Sequence, residues 1–152
     1  MSQNFVKIQT EDFNLDTAMS WLQDNEESYG ALVTFTGVVR EAYEGNLTAL
    51  FLEHYPGMTE KTLDKIIDQA RERWALGRVM IIHRVGELYK NDNIVFIGVI
   101  SAHRVNAFNA SQFIMDYLKK EAPFWKKEKM IASESWVAQK ESDIKAADGW
   151  VK

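Results

Sequence analysis

Two stretches of this chain carry apolar residues at helical spacing, and both are set among short β-branched runs. Leu63, Ile66, Ile67, Ala70 and Trp74 form one stripe; Ala107, Ala110, Ile114, Tyr117 and Leu118 form the other. A stripe of this kind buries one face of a helix against an apolar partner. The partner is available nearby, because residues 5–9, 30–37, 48–55, 78–85, 93–102 and 124–131 read as strands, with a short extended piece at 135–138. Pro56-Gly57 opens the first helix and Gly77 follows it. Pro123 ends the second, since proline cannot continue a helix. A shorter helix is expected at 16–24, from Leu15, Met19 and Leu22.

Two main helices among about six strands predict an α+β fold with a mostly antiparallel sheet. The 152 residues suit a single domain spanning 1–152, and no Pro/Gly/Ser linker or repeat divides them. Residues 140–152 form a polar tail that can dock or fray. Residues 41–46 are polar, contain Gly45, and are expected to form a mobile loop with Arg40 at its hinge.

Composition narrows the chemistry. The chain has no cysteine, so a disulfide frame, a thiolate metal site, an iron–sulfur cluster and a cysteine nucleophile are all excluded. The net charge is −4, which argues against nucleic-acid binding. No run of 18 apolar residues occurs, and the N-terminus lacks a signal-like apolar core, so no membrane partner is expected and the cytoplasm is the expected location. There is no GxGxxG, GxxxxGK[ST] or GxSxG motif. His54, His83 and His103 lie far apart, without HxH or HExxH spacing, so no metal site is expected.

The informative charge is local. Residues 104–129 hold six cations against three carboxylates in an otherwise acidic chain. Lys119 lies just before the Pro123 break and Lys126 just after it, so the two can approach one another from a helix end and the next strand. The plain reading is a solvated charge run whose lysines also complement a helix C-terminus. The alternative is an anion pocket in which a desolvated lysine moves a proton or forms a covalent adduct. His103-Arg104, between a buried strand and a helix, reads either as a cap with a surface arginine or as an anion contact at a helix start. Arg40, after a strand, reads first as a surface arginine.

Several strings add a resemblance: VTFTGVVR at 33–40, LEHYPGMTEK at 52–61, RW at 73–74 with LGRV at 76–79, HRVGEL at 83–88, SAHR at 101–104, QFIMDYLK at 112–119 and APFWKK at 122–127. In order and spacing they closely resemble the large, catalytic subunit of molybdopterin synthase, over about residues 30–143. The resemblance implies an α+β fold of the α/β-hammerhead type. It also implies a sulfurtransferase that converts cyclic pyranopterin monophosphate to molybdopterin by installing a dithiolene. The sulfur would come from the C-terminal glycine thiocarboxylate of a small ubiquitin-like subunit, in a heterotetramer built on a homodimer of this chain. No cofactor is implied, the pterin of the molybdenum cofactor being the product.

By the same resemblance Lys119 and Lys126 are the catalytic lysines. Val38, Val39, Arg40, His103, Arg104, Lys119, Lys126, Lys127 and Glu128 fall at substrate positions, with Lys140 a further one. Lys119 would act on the tail's acyl carbon and Lys126 would move a proton and hold substrate. Arg40, His103 and Arg104 would bind phosphate or pterin, with Arg104 or Lys140 acting across the dimer interface. The chain departs from the family pattern at Val38, where relatives can carry lysine, and at Lys140, where they can carry arginine. A sulfur transferase without cysteine needs sulfur activated elsewhere, which a partner's thiocarboxylate meets. The alternative is a non-catalytic module that grips a ubiquitin-like tail; a concave site joining Lys119 and Lys126 to anion-binding groups distinguishes the two.

Overall fold

The computed structural model describes residues 3–24, 29–41, 47–130, 134–137 and 140–151. The elements in chain order are β1 (Asn4–Gln9), α1 (Leu15–Gln23), β2 (Ala31–Val38), β3 (Leu47–His54), α2 (Met58–Arg73), β4 (Val79–Arg84), β5 (Gly86–Leu88), β6 (Asn93–Ser101), α3 (Arg104–Glu121), β7 (Phe124–Met130), β8 (Glu134–Trp136) and α4 (Glu141–Asp148). The strands form two four-stranded sheets, ordered β1-β4-β6-β2 and β5-β3-β7-β8. Only the β1–β4 pair is parallel among the described residues. This is the expected α+β arrangement.

The first sheet is covered on both faces, and strand alternation shows how. Val79 and Ile81 of β4, with Val95, Ile97 and Val99 of β6, meet the stripes of α2 and α3. Met80 and Ile82, with Phe96 and Ile100, meet Phe13 and the Ala18 and Leu22 of α1 on the other side. Because both faces are apolar, β4 and β6 read as continuous apolar runs. Gly98 marks the closest approach of α1: a Cβ built there would lie 2.5 Å from Leu22 Cδ1.

The second sheet has one apolar face, where Leu47, Leu50, Leu52 and Leu88 pack with Val39. Ile94 packs against both this cluster and the α2–α3 cluster, joining the two sheets. Two devices hold the chain where α2 and β7 begin. Gly57 precedes α2 at φ +86°, a left-handed conformation that glycine adopts without strain, and its N–H donates to Glu60 Oε1 at 2.8 Å. Thr59, fully buried, accepts from the Tyr55 N–H at 2.9 Å and donates to the Pro123 carbonyl at 3.0 Å. That bridge ties the start of α2 to the turn between α3 and β7.

Two elements are additions to the sequence reading. β5 is a three-residue strand on β3, at a place the sequence marks only as a joint at Gly86. The polar tail docks, as α4. Trp150 Nε1 donates to Asp116 Oδ2 at 2.7 Å, its ring meets Trp74 and Phe113 edge-on, and its carbonyl accepts from Arg73 Nη2 at 2.5 Å. Residues 42–46 of the expected mobile loop lie outside the described residues. Glu41 at its start accepts from the Leu47 N–H at 2.8 Å and pairs with Lys90.

Candidate active site

Lys119 occupies the last turn of α3, and Lys126 is the third residue of β7. Between them the chain reverses. The Ala122 N–H still bonds the Leu118 carbonyl at 3.2 Å, and the Phe124 N–H turns back to the Ala122 carbonyl at 2.9 Å. The two lysines then line one cavity of about 540 Å³. Leu50 and Leu52 of β3, Ile94 of β6 and Phe124 form apolar walls, and Lys140 and Asp143 close the α4 side. The β3–β7 register explains the floor: Leu52 lies opposite Lys126 and Leu50 opposite Glu128, so these four side chains share one face of the sheet.

The walls act on the charges. Lys126 is half-buried and its ammonium is held below the ordinary lysine value, first by desolvation and then by the charges of Lys119 and Lys140. Glu128 and Asp143 pull the other way without cancelling this. A lysine in that condition gives up its proton more readily than a surface lysine. Lys120 also borders the cavity but pairs with Asp148 of α4, which raises its pKa.

A residue to which the sequence assigned no role completes the wall. His83 of β4 lines the cavity, is buried, and stacks on Phe124 with ring centroids 3.9 Å apart and planes at 19°. Burial pushes its pKa down to about 4, the charges of Lys119 and His54 push the same way, and a bond to the Arg84 carbonyl opposes them. A polar residue inside the apolar run VMIIHR is the signal that could have marked it.

The other expected positions fall elsewhere. None of Val38, Val39, Arg40, His103, Arg104, Lys127 and Glu128 is among the residues lining the cavity. Val39 is buried with Leu50 and Leu52, its N–H bonded to the Asp92 carbonyl and its carbonyl to the Asn91 N–H, both at 2.8 Å. Val38 and Arg40 on either side of it are exposed. This end of β2 lies beside Asn93, where β6 begins, and α3 doubles back over β6 to the same end. Arg40 and Lys119 therefore belong to one end of the molecule. His103 and Arg104, both exposed, stand at the opposite end of α3. The fifteen residue-to-residue steps from Arg104 to Lys119 span about 22 Å of helix. Glu128 acts on Lys126 by charge, whereas Lys127 points to the other face, 3.6 Å from Glu134 and over the Trp136 ring.

In this α+β chain two lysines, one of them desolvated, line a half-apolar cavity beside a proline turn and present amines to whatever enters it. Comparison with known proteins makes the family specific. The profile of the MoaE protein family matches residues 8–121. The molybdopterin synthase catalytic subunit of Escherichia coli (strain K12) is 52% identical over 151 residues, 99% of this chain and 100% of that one. The molybdopterin biosynthesis MoaE protein from Burkholderia ambifaria MC40-6 superposes with a TM-score of 0.83 at 44% identity, covering 98% of this chain and 99% of that one. The molybdopterin synthase of Staphylococcus aureus gives a TM-score of 0.82 at 34% identity, covering 91% and 98%. The chain belongs to the MoaE family. It is an enzyme of the molybdopterin synthase catalytic-subunit kind, acting in molybdenum cofactor biosynthesis.

Proposed function

We propose that the Lys119–Lys126 cavity is where sulfur passes from the C-terminal thiocarboxylate of a small ubiquitin-like partner to cyclic pyranopterin monophosphate, giving molybdopterin. The convergence of these two lysines on one concave, partly apolar site carries the reading. A module that merely grips a tail needs a charged groove; it does not need a desolvated lysine facing a second lysine across a cavity.

The chemistry assigned to the chain is acyl transfer. Once the partner's sulfur has bonded to a pterin carbon, displacing an oxygen substituent of that carbon as water or as phosphate oxygen, the tail's acyl carbon is held as a thioester. Breaking that acyl–sulfur bond leaves the thiolate on the pterin and passes the acyl group to water, so the tail returns as a carboxylate and no electrons change hands. Lys119 polarises the carbonyl, or takes the acyl group transiently before water does. Lys126, with its lowered pKa, moves the proton that this exchange requires and holds the anion. Lys140 contributes positive charge at the cavity rim, and Arg40 approaches from the same end of the fold. The reading needs no cofactor.

His103 and Arg104 cannot reach this cavity from their own protomer, so the reading places them at the site of a second copy. Their surroundings support that placement. Val105 and Phe108, beside them, are 61% and 62% exposed, and β2 is an edge strand carrying the half-exposed Phe35. Apolar surface of this kind is commonly covered by a partner. A homodimer that binds two small subunits, working in the cytoplasm, is the assembly proposed; no helix among the described residues is long and apolar enough to cross a membrane.

The test is incubation with thiocarboxylated small subunit and the cyclic precursor, followed by detection of the dithiolene product. Product formation that consumes the thiocarboxylate is expected. Tight binding of the tail without product would favour the non-catalytic module.

A further inference from the structure

The buried histidine in the cavity wall has a defined orientation. A backbone carbonyl can only accept, so the 2.8 Å contact between His83 Nδ1 and the Arg84 carbonyl requires the proton on Nδ1. The ring is neutral near pH 7, because burial holds its pKa at about 4. Nε2 then carries a lone pair and no proton. The ring also stacks on Phe124, and its residue sits on β4 at the alternation position of Val79 and Ile81, which face α2 and α3. Lys119 of α3 lines the same cavity, and its charge reaches the imidazole.

We propose that His83 is a positioning residue for Lys119, its Nε2 serving as a neutral hydrogen-bond acceptor that orients the lysine amine within the cavity. The proposal deepens the reading of Lys119 given above and rests on it. Neutrality is the useful property. A carboxylate at this place would also hold the amine, but it would stabilise the ammonium and keep the lysine from attacking or releasing a proton. An imidazole locked by its second nitrogen orients the amine with less bias toward the charged form. The other charged groups at this wall are Lys120 and Glu121 of α3, Lys126 of β7, and Lys140 and Asp143 on the α4 side. His54 of β3, itself 3.9 Å from Glu60 of α2, completes the set.

Two measurements test this, and the first needs neither partner nor substrate. The ¹⁵N chemical shifts of the His83 ring in the wild-type protein at pH 7 are expected to report the Nδ1–H tautomer, with an Nε2 shift that changes in Lys119→Ala. An Nε2–H tautomer, or an Nε2 shift indifferent to Lys119→Ala, would overturn the proposal even if the enzyme proved active. The second uses the complete synthase. His83→Phe keeps a ring to stack on Phe124 but loses both nitrogens. It is expected to lower kcat by roughly 10²-fold, a typical effect of misplacing a reacting group, with KM for precursor and the unfolding midpoint little changed. His83→Gln, whose amide oxygen can replace Nε2, should recover much of that loss. His83→Asp should move the rate profile so that activity appears only at higher pH. Wild-type kcat in His83→Phe, or equal losses in the Phe and Gln variants, would overturn the role. If no variant turns over because the sulfur-transfer reading itself is wrong, the tautomer and its response to Lys119→Ala still decide the hydrogen bond.

Discussion

β6 and β7 flank the same helix, yet they are built on opposite principles. Every residue of β6 from Val95 to Ser101 is buried, with α1 on one side and α2 and α3 on the other. No residue of β7 is fully buried, and three of its seven are lysines. The first strand supports the fold and the second presents charge. α3 joins the two, beginning at the end of the buried strand and delivering Lys119 beside the polar one. A small α+β chain can thus separate its scaffold from its charged surface by sheet, using an apolar sheet to fix a helix whose last turn carries the lysine proposed to react.

The largest effect expected from breaking that division is on stability. Ile97 is fully buried under α2 and α3, so Ile97→Ala should cost about 2–5 kcal/mol in a denaturant titration. On the second sheet, Lys127→Ala removes one partner of Glu134 and a cation over Trp136, and should cost no more than about 1 kcal/mol. Similar costs for the two would erase the distinction between the sheets.

A second effect comes from the one buried histidine at the junction. His83 is neutral in the fold, with a pKa of about 4 against an unfolded value near 6.5. Between those values the unfolded chain binds more protons, so stability must fall as pH falls from 6.5 toward 4, reaching a loss of about 3 kcal/mol. Above pH 6.5 the group contributes no pH dependence. Unfolding midpoints measured across this range should show the loss in the wild type and much less of it in His83→Phe.

A smaller effect sharpens the electrostatics of the second sheet. Lys126 should titrate below an ordinary lysine, as followed by NMR of its side chain. Lys140→Gln removes a like charge and should raise that pKa, whereas Glu128→Gln removes an opposite charge and should lower it further. Shifts of the reverse sign would mean that desolvation and charge are not arranged as described.

The same division explains what could be read in advance. α2, α3, β4 and β6 were legible because burial on one face of a helix, or on both faces of a strand, leaves a periodic or continuous apolar pattern. β5 was not, since three residues after a glycine carry no period. α4 was not, because its position depends on Trp150 finding Asp116, Trp74 and Phe113, a tertiary match that its polar sequence does not display. The approach of Lys119 and Lys126 was legible from the proline between them. The separation of His103 and Arg104 from that pair was not, because residues adjacent at a strand–helix junction give no hint that the helix carries its far end about 22 Å away. The sequence marks His83 as the first residue of HRVGEL and as a histidine without metal spacing; the role proposed for it depends on a neighbour thirty-six positions later.

The proposed chemistry depends on Lys119, and the neighbouring Lys120 provides the control. Lys120 is paired with Asp148, so its removal loosens one contact of α4. The decisive measurement is dithiolene formation by Lys119→Ala and Lys120→Ala, each with thiocarboxylated small subunit and precursor at matched protein folding. A loss on the order of 10²–10³ is expected for Lys119→Ala, unrelieved in Lys119→Arg, with Lys120→Ala within a few-fold of wild type. Equal and mild losses in the two alanine variants would contradict it, and would reduce the basic segment to a diffuse patch of charge.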